Sequence, residues 1–228
     1  MCSNYEPARI DSLAKYFGIE QIDFAYKPET YPGHMAPILR QRDGRLECAA
    51  ACFGLVPHWA DLKLARQTYN ARSETVAEKP SFRNAWRKQQ FCLIPLEAFF
   101  EPNYESGRAE RWKISPQDGQ ALAVAGIWEW RPAKLDGAGE LLSFSMLTIN
   151  ADQHPLMQRF HKPEDEKRML VIVPPAQQIA WLNATIEQAQ ALLQPYPADQ
   201  LRAEVAPRLL GGTRQIVGRQ SQMSLDGS

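Results

Sequence analysis

FCLIPLEAFFE, residues 91–101, is the most informative segment of the chain for its fold. It is a nearly continuous apolar and aromatic run that ends in a carboxylate, and it predicts a strand over Phe91–Phe100. Before and after this segment in the sequence, similar apolar runs predict further strands over Cys48–Val56, Leu122–Trp130, Leu141–Ile149 and Arg168–Val173. We therefore expect a molecule built around a β-sheet.

Short helices are predicted around this sheet. Residues 8–17 have an amphipathic pattern that ends at Gly18, and Pro175–Asn183 and Ile186–Leu193 are also predicted to be helical. The polar, arginine-rich residues 58–90 are expected to form a loop with short helices around Ser73–Glu78 and Ser81–Lys88. Because strands and helices do not alternate regularly, the predicted fold class is α+β with mainly antiparallel pairing. The Gly-, Ser- and Gln-rich residues 211–228 are expected to be a flexible tail on a single domain.

The composition excludes several classes of protein. Lys plus Arg and Asp plus Glu each number 26, so any phosphate-binding surface is expected to be a local patch. No apolar stretch has the length of a membrane-spanning helix, and the N-terminus lacks the pattern of a signal peptide. The four cysteines fit no zinc pattern, so we predict no metal and no other cofactor, and a reducing cytoplasm as the compartment.

Cys2 is preceded only by Met1. A small second residue indicates that the initiator methionine is removed, which would give Cys2 a free α-amine beside its own thiol. Such an aminothiol condenses with an aldehyde, first as a Schiff base and then as a five-membered thiazolidine ring. The alternative is a disordered N-terminus in which a cysteine has no role.

Two further motifs place polar groups next to apolar segments. In NARSET, residues 70–75, Asn70 can hold a backbone group or an amine and Arg72 can bind a phosphate, although the motif also fits a simple helix start. Glu101 ends the apolar run, where loss of solvation raises the pKa of a carboxyl toward values useful in acid–base chemistry. The alternative is that the strand simply emerges into water at Glu101.

Histidines and aromatic residues supply the remaining candidates. His154 and His161 follow the Leu141–Ile149 strand and are possible proton shuttles, and neither has ligands at metal spacing. Aromatic residues interleaved with arginines, at Trp59 and at Phe82-Arg83, suit stacking on unpaired bases. The same pattern is also typical of core aromatics beside surface arginines.

Five sequence blocks, in the order in which they occur along the chain, resemble the SRAP family, the SOS response-associated peptidases that process abasic sites. The blocks are the Met-Cys start, FGLVPHWA at 53–60, NARSET at 70–75, CLIPLEAFFEP at 92–102 and HPLMQRFHKPEDEKRM at 154–169. The resemblance implies one domain over residues 1–210, with a barrel-like, mainly antiparallel sheet and flanking short helices. It also implies a protein that acts as a monomer on single-stranded DNA containing abasic sites.

The resemblance implies roles for nine residues. Cys2 is the nucleophile after self-catalysed removal of Met1, Asn70 holds the N-terminal residue, and Glu101 and His161 move protons. The residues expected to contact DNA are Trp59, Arg72, Phe82, Arg83 and Arg168. The implied product is a thiazolidine that shields the lesion, and a Schiff base on the way to it would also permit weak lyase activity.

The sequence departs from the family pattern in three places. Asn4 stands where the family commonly has Arg, and Pro102 follows the motif glutamate where Trp is common. Six residues, 162–167, separate His161 from Arg168, more than is usual, which leaves His154 open as the active-site histidine. Two other functions also stay open, namely a cysteine peptidase that acts on other proteins and a non-catalytic module that binds single-stranded DNA.

Overall fold

The computed structural model describes residues 2–133, 139–207 and 216–217. Twelve strands are present in these ranges: β1 (Tyr5–Pro7), β2 (Ala25–Tyr26), β3 (Met35–Arg42), β4 (Arg45–Phe53), β5 (Asn70–Arg72), β6 (Phe91–Asn103), β7 (Glu110–Pro116), β8 (Leu122–Arg131), β9 (Leu141–Asn150), β10 (Arg168–Leu170), β11 (Leu201–Val205) and β12 (Ile216–Val217). The described α-helices are α1 (Ile10–Phe17), α2 (Arg83–Arg87), α3 (Gln178–Leu182) and α4 (Ile186–Ala191). Short 3₁₀ helices cover Leu62–Arg66, Met157–Arg159, Pro175–Gln177 and Ala198–Gln200.

Five of the strands close into a ring. β3 pairs with β4, β4 with β9, β9 with β8, β8 with β6, and β6 again with β3. β1 and β7 also pair with β6, β11 pairs with β7, and β5 and β10 pair with β9. Among the described strands, all pairs except β4–β9 and β5–β9 are antiparallel. The predicted α+β class, with a mainly antiparallel and barrel-like sheet, is confirmed.

β6 is the central strand because its run of apolar residues is buried along nearly its whole length. One end of β6 pairs with β3 and β8, and the other end pairs with β1 and β7. Trp181 of α3 packs against Phe91 and donates its indole N–H to the carbonyl of Cys92 at 2.9 Å. The helix thereby covers the first half of β6, and the second half extends toward the N-terminal strand.

Phe53, the last residue of β4, joins three parts of the chain in the core. Its ring centroid lies 5.2 Å from that of Tyr5, 5.8 Å from that of Tyr69 and 5.3 Å from that of Phe144. Tyr5 begins β1, Tyr69 precedes β5 and Phe144 lies on β9. This contact fixes the N-terminal strand relative to the strand that begins the NARSET motif.

Several sequence predictions differ from the structure in detail. Residues 73–78 form turns and not a helix, because the motif's first three residues pair with β9 as β5. The strand predicted over Arg168–Val173 ends at Leu170, and the helix predicted over Pro175–Asn183 is divided into a 3₁₀ turn and α3. α1 ends at Gly18 as predicted, where the glycine has a φ of 69°.

The predicted tail falls mostly outside the described residues. Of residues 211–228, only Ile216–Val217 are described, and they pair with β2 in a separate two-stranded sheet. No helix in the described ranges combines the length and the hydropathy that a crossing of the bilayer requires.

Candidate active site

Cys2 lies against the second half of β6. The backbone N–H of Phe100 donates to the carbonyl of Asn4 at 3.2 Å, and the thiol of Cys2 donates to the same carbonyl at 3.3 Å. The residue is only 1% exposed. Burial, together with the charge of nearby Glu101, raises the pKa of the Cys2 thiol, so the thiol is neutral at neutral pH.

β6 places Glu101 close to Cys2. Its neighbours in the strand are apolar, and the carboxyl group is 3% exposed. Burial raises the pKa of Glu101 to about 7, which is the range in which a carboxyl group both accepts and donates protons near neutral pH. Its Oε2 lies 3.5 Å from Nδ1 of His161.

His161 is fixed by its backbone and by its ring. Its φ is 65°, in the left-handed region, and its N–H donates to the carbonyl of Pro102 at 2.8 Å. Nε2 lies 3.3 Å from the carbonyl oxygen of Arg168, which can only accept, so we assign the ring proton to Nε2. The lone pair of Nδ1 then faces Glu101. Burial lowers the pKa of His161 to about 4, which keeps the ring neutral at physiological pH.

His154 has a different environment. Its Nδ1 accepts the backbone N–H groups of Leu156 at 3.2 Å and Met157 at 2.9 Å, and its Nε2 lies 2.8 Å from the carbonyl of Tyr196. Nδ1 thus holds the backbone of the segment that leads to His161, and Nε2 ties that segment to Tyr196. Of the two candidate histidines, His161 is the one beside Glu101.

Asn70 begins β5 and is 8% exposed. Its Nδ2 donates to the carbonyl of Tyr69 at 3.0 Å, and its Oδ1 is buried with no hydrogen-bond partner among residues 2–133, 139–207 and 216–217. Burial raises the pKa of the neighbouring Tyr69, and the ionised forms of Cys2 and Glu101 would raise it further. Tyr69 and Tyr5 of β1 pack against the same ring of Phe53, so the start of β5 lies beside the N-terminal strand. The buried Oδ1 of Asn70 can accept an additional N–H there.

Arg168 and Arg72 differ in exposure. Arg168 is 2% exposed, and its guanidinium donates to both oxygens of Glu74 at 2.9 Å and to the carbonyl of Thr148 at 2.8 Å. The side chain of Arg72 is 48% exposed and lies 2.8 Å from Glu166. Arg168 therefore ties β10 to β9 and to the NARSET turn, whereas Arg72 faces solvent.

The residues predicted to stack on bases also differ in their exposure. Trp59 is 56% exposed, and Arg83 lies on the exposed side of α2. Phe82 is 8% exposed and belongs to the hydrophobic core. An aromatic face is therefore exposed at Trp59 and covered at Phe82.

Sequence reasoning overlooked two supporting residues. Asn103 ends β6, and its Nδ2 donates to the carbonyl of Arg159 at 3.0 Å, which holds the segment before His161. Asn4 is buried and its Nδ2 donates to Glu29, which also binds Arg111 at 2.6 Å. The position of Asn103, two residues after the carboxylate that ends the apolar run, was a usable signal, but no local pattern indicates the role of Asn4.

The arrangement combines a neutral thiol at the start of the chain, a carboxyl group with a raised pKa and a neutral imidazole. These groups can transfer protons around a reaction at the N-terminus without placing a permanent charge in the site. No group of three or more His, Cys, Asp or Glu side chains in the described part of the chain is placed to hold a metal ion.

Comparison with known proteins gives consistent matches over most of the chain. A sequence model of a family described as SOS response associated peptidase (SRAP) matches residues 1–210. The abasic site processing protein YoqW of Bacillus subtilis (strain 168) is 30% identical over 221 residues, covering 89% of this chain and 91% of that protein. The abasic site processing protein YobE of the same strain is 31% identical over 235 residues, covering 95% and 99%. An X-ray crystal structure of a protein from Bordetella bronchiseptica has a TM-score of 0.83 and 34% identity, covering 91% of this chain and 100% of that chain.

Proposed function

The chain belongs to the SRAP family, and from that premise we propose that it captures abasic sites in single-stranded DNA through a covalent bond to Cys2. The observation that carries the proposal is the burial of the Cys2 thiol beside Glu101, with His161 at 3.5 Å from that carboxyl group. An aldehyde is the class of electrophile that an N-terminal aminothiol binds, and an abasic deoxyribose opens to an aldehyde.

Removal of Met1 comes first in this mechanism. A water molecule, deprotonated by Glu101, attacks the carbonyl carbon of Met1, and the peptide bond to Cys2 breaks. The proton passes to the departing nitrogen, which becomes the α-amine of Cys2. The buried Oδ1 of Asn70 is suited to accept an N–H from that amine and to hold it in place.

Crosslinking then follows in two steps, a condensation and an addition. His161 assists opening of the sugar ring by moving a proton to the ring oxygen. The amine attacks C1′, and loss of the hydroxyl group as water leaves a Schiff base. The thiol sulfur adds to the same carbon and its proton ends on the ring nitrogen, so the thiazolidine forms with release of one water in total. Loss of a C2′ proton from the Schiff base, with cleavage of the C3′–O bond and departure of the 3′-phosphate, would instead break the DNA strand. This β-elimination is the proposed weak lyase activity.

The neutral thiol is compatible with this order of steps. Because burial raises the pKa of Cys2, a thiolate is scarce until a nearby base removes its proton. Glu101, with a pKa of about 7, is half ionised near neutral pH and can take that proton at the moment of ring closure. The carboxyl form generated there returns the proton to the ring nitrogen, which completes the thiazolidine.

The decisive experiment is the intact mass of the protein after incubation with a single-stranded oligonucleotide that contains one abasic site. We expect the mass of the Met-less protein plus the DNA minus one water. Cys2→Ala should abolish the heat-stable adduct, although its free amine still permits a Schiff base that borohydride traps. A heat-stable adduct with Cys2→Ala would contradict the aminothiol mechanism.

An N-terminal extension separates this proposal from the two other functions. Residues placed permanently before Cys2 remove the free amine, so the adduct should be lost. A cysteine peptidase acting on other proteins would stay active with the extension. A binding-only module would show reversible, salt-sensitive binding that ignores the abasic site.

A further inference from the structure

Arg72 is one of the residues that the family resemblance assigns to DNA contact. One guanidinium nitrogen of Arg72, Nη1, lies 2.8 Å from Oε2 of Glu166. Glu166 lies in the 162–167 segment, the stretch that is longer here than the family pattern. The arginine expected to receive a phosphate thus holds a carboxylate supplied by the same chain.

Glu166 is also anchored independently of Arg72. Its Oε1 lies 2.7 Å from Nη1 of Arg168 and accepts from Nδ2 of Asn150 at 3.2 Å. Arg168 is buried and is held further by both oxygens of Glu74. Separation of Arg72 from Glu166 therefore breaks one ion pair and leaves the carboxylate where it is.

The two partners in that ion pair are both accessible. The side chains of Arg72 and Glu166 are 48% and 35% exposed, so the pair is partly solvated and is easily exchanged for another anion. A carboxylate and a phosphate diester accept the same N–H groups of a guanidinium. A phosphate that reaches Arg72 must displace Glu166 and then remains close to its negative charge.

We propose that Glu166 is an internal competitor for the DNA phosphate at Arg72, and that it weakens binding to undamaged single strands. The inference rests on the proposed function. An undamaged strand is held only by reversible contacts, so competition from Glu166 lowers its affinity directly. An abasic strand is retained by its covalent bond, so the final yield of adduct does not depend on the competition. Glu166 thereby increases selectivity for the lesion.

The test measures the Kd for an undamaged, fluorescently labelled oligonucleotide by anisotropy, with Cys2→Ala in every variant. Glu166→Gln should tighten binding about three- to tenfold at low salt, because it removes both the exposed ion pair and the repulsion of the phosphate. Gln retains an amide oxygen for Arg168, and thermal unfolding checks that the fold is kept. Glu164→Gln is the matched control, since it removes an equal charge from an exposed residue of the same segment and should change Kd less than twofold.

A double-mutant cycle tests whether Glu166 affects DNA binding through Arg72. In an Arg72→Ala background, Glu166→Gln should have no further effect on Kd. Equal tightening by Glu164→Gln, no tightening by Glu166→Gln, or tightening that persists without Arg72 would each overturn the inference while leaving the proposed function intact. If no variant binds single-stranded DNA, both the proposed function and this inference are wrong.

Discussion

Glu101 and His161 have pKa values that burial moves in opposite directions. Each shift disfavours the charged form, so the carboxyl pKa rises to about 7 and the imidazole pKa falls to about 4. Between those values both groups are neutral, with the proton of the pair on the carboxyl group. Raising the pH through 7 ionises Glu101 first. The residue that changes charge near physiological pH is therefore the carboxylate and not the histidine.

This assignment predicts the pH dependence of crosslinking. If ionised Glu101 accepts the proton from the amine and the thiol, the rate should rise with pH and level off above about pH 7. Glu101→Gln should remove this inflection and slow the reaction about 10²- to 10⁴-fold, with little change in Kd for DNA. Single-turnover rates across pH check both points. An unchanged inflection in the Gln variant would assign it to another group.

The two candidate histidines predict opposite mutant behaviour. His161→Asn keeps a residue that tolerates a φ of 65°, so the protein should stay folded while the crosslinking rate falls at least tenfold. His154→Ala leaves two backbone N–H groups unpaired, so it should lower Tm by several degrees and leave the rate of the folded protein nearly unchanged. Thermal unfolding and single-turnover rates on both variants check this contrast. The reverse pattern would make His154 the active-site residue.

At the scale of the elements, Gly54 joins the end of β4 to the 3₁₀ helix Leu62–Arg66. Its φ is 110°, and a Cβ at this position would lie 2.1 Å from the carbonyl oxygen of Ala65. Only the absence of a side chain lets the two backbones approach this closely. The helix in turn lies immediately before Thr68 and β5, so this glycine supports the strand that bears Asn70.

Gly54→Ala is therefore predicted to be severely destabilising. We expect a loss of more than about 3 kcal/mol in the free energy of unfolding, because a backbone clash adds to the strain of the positive φ. Gly33→Ala is the matched control, since Gly33 has a φ of 92° but open space around its Cβ position, and it should cost only about 1 kcal/mol. Urea unfolding measures both. Equal losses would show that the close contact is unimportant.

The strands differ in how well the sequence predicts them. β6, β8 and β9 were predictable because their runs of apolar residues are buried on the ring. β7 and β11 have polar sequences, ERWKISP and LRAEV, and pair with each other outside the ring, so their strand structure depends on partners and not on composition. β5 has three residues and exists only through its parallel pairing with β9.

Prediction of the candidate site from the sequence is limited in the same way. The sequence places a cysteine directly after Met1 and a carboxylate at the end of an apolar run, and these indicate the proposed chemistry. Their proximity depends on the pairing of β1 with β6, residues nearly a hundred positions apart, which no local pattern reveals. The left-handed backbone of His161 and the ion pair between Arg72 and Glu166 are likewise properties of the folded chain.

For the whole molecule, the formal net charge of zero restricts how DNA can be attracted. Binding must come from a few local cations, so the dependence of log Kd on log salt should be shallow. Arg72→Ala should weaken binding to single strands and reduce that slope by about 0.7, the value for the loss of one phosphate contact. Titrations between low and moderate salt measure the slope. An unchanged slope would mean that Arg72 makes no phosphate contact.

The closed ring of strands has a consequence for how the protein is made. β3 and β4 form a hairpin early in synthesis, but β4 must wait for β9, and β1 must wait for β6. Contacts between such distant segments slow folding, because the chain loses entropy before the closing strands stabilise it. If the chain removes Met1 with its own site, as proposed, a nascent chain cannot complete this step until most of the ring has been translated and closed. The fraction of molecules that have lost Met1 would then report the fraction that has completed folding in a growing cell.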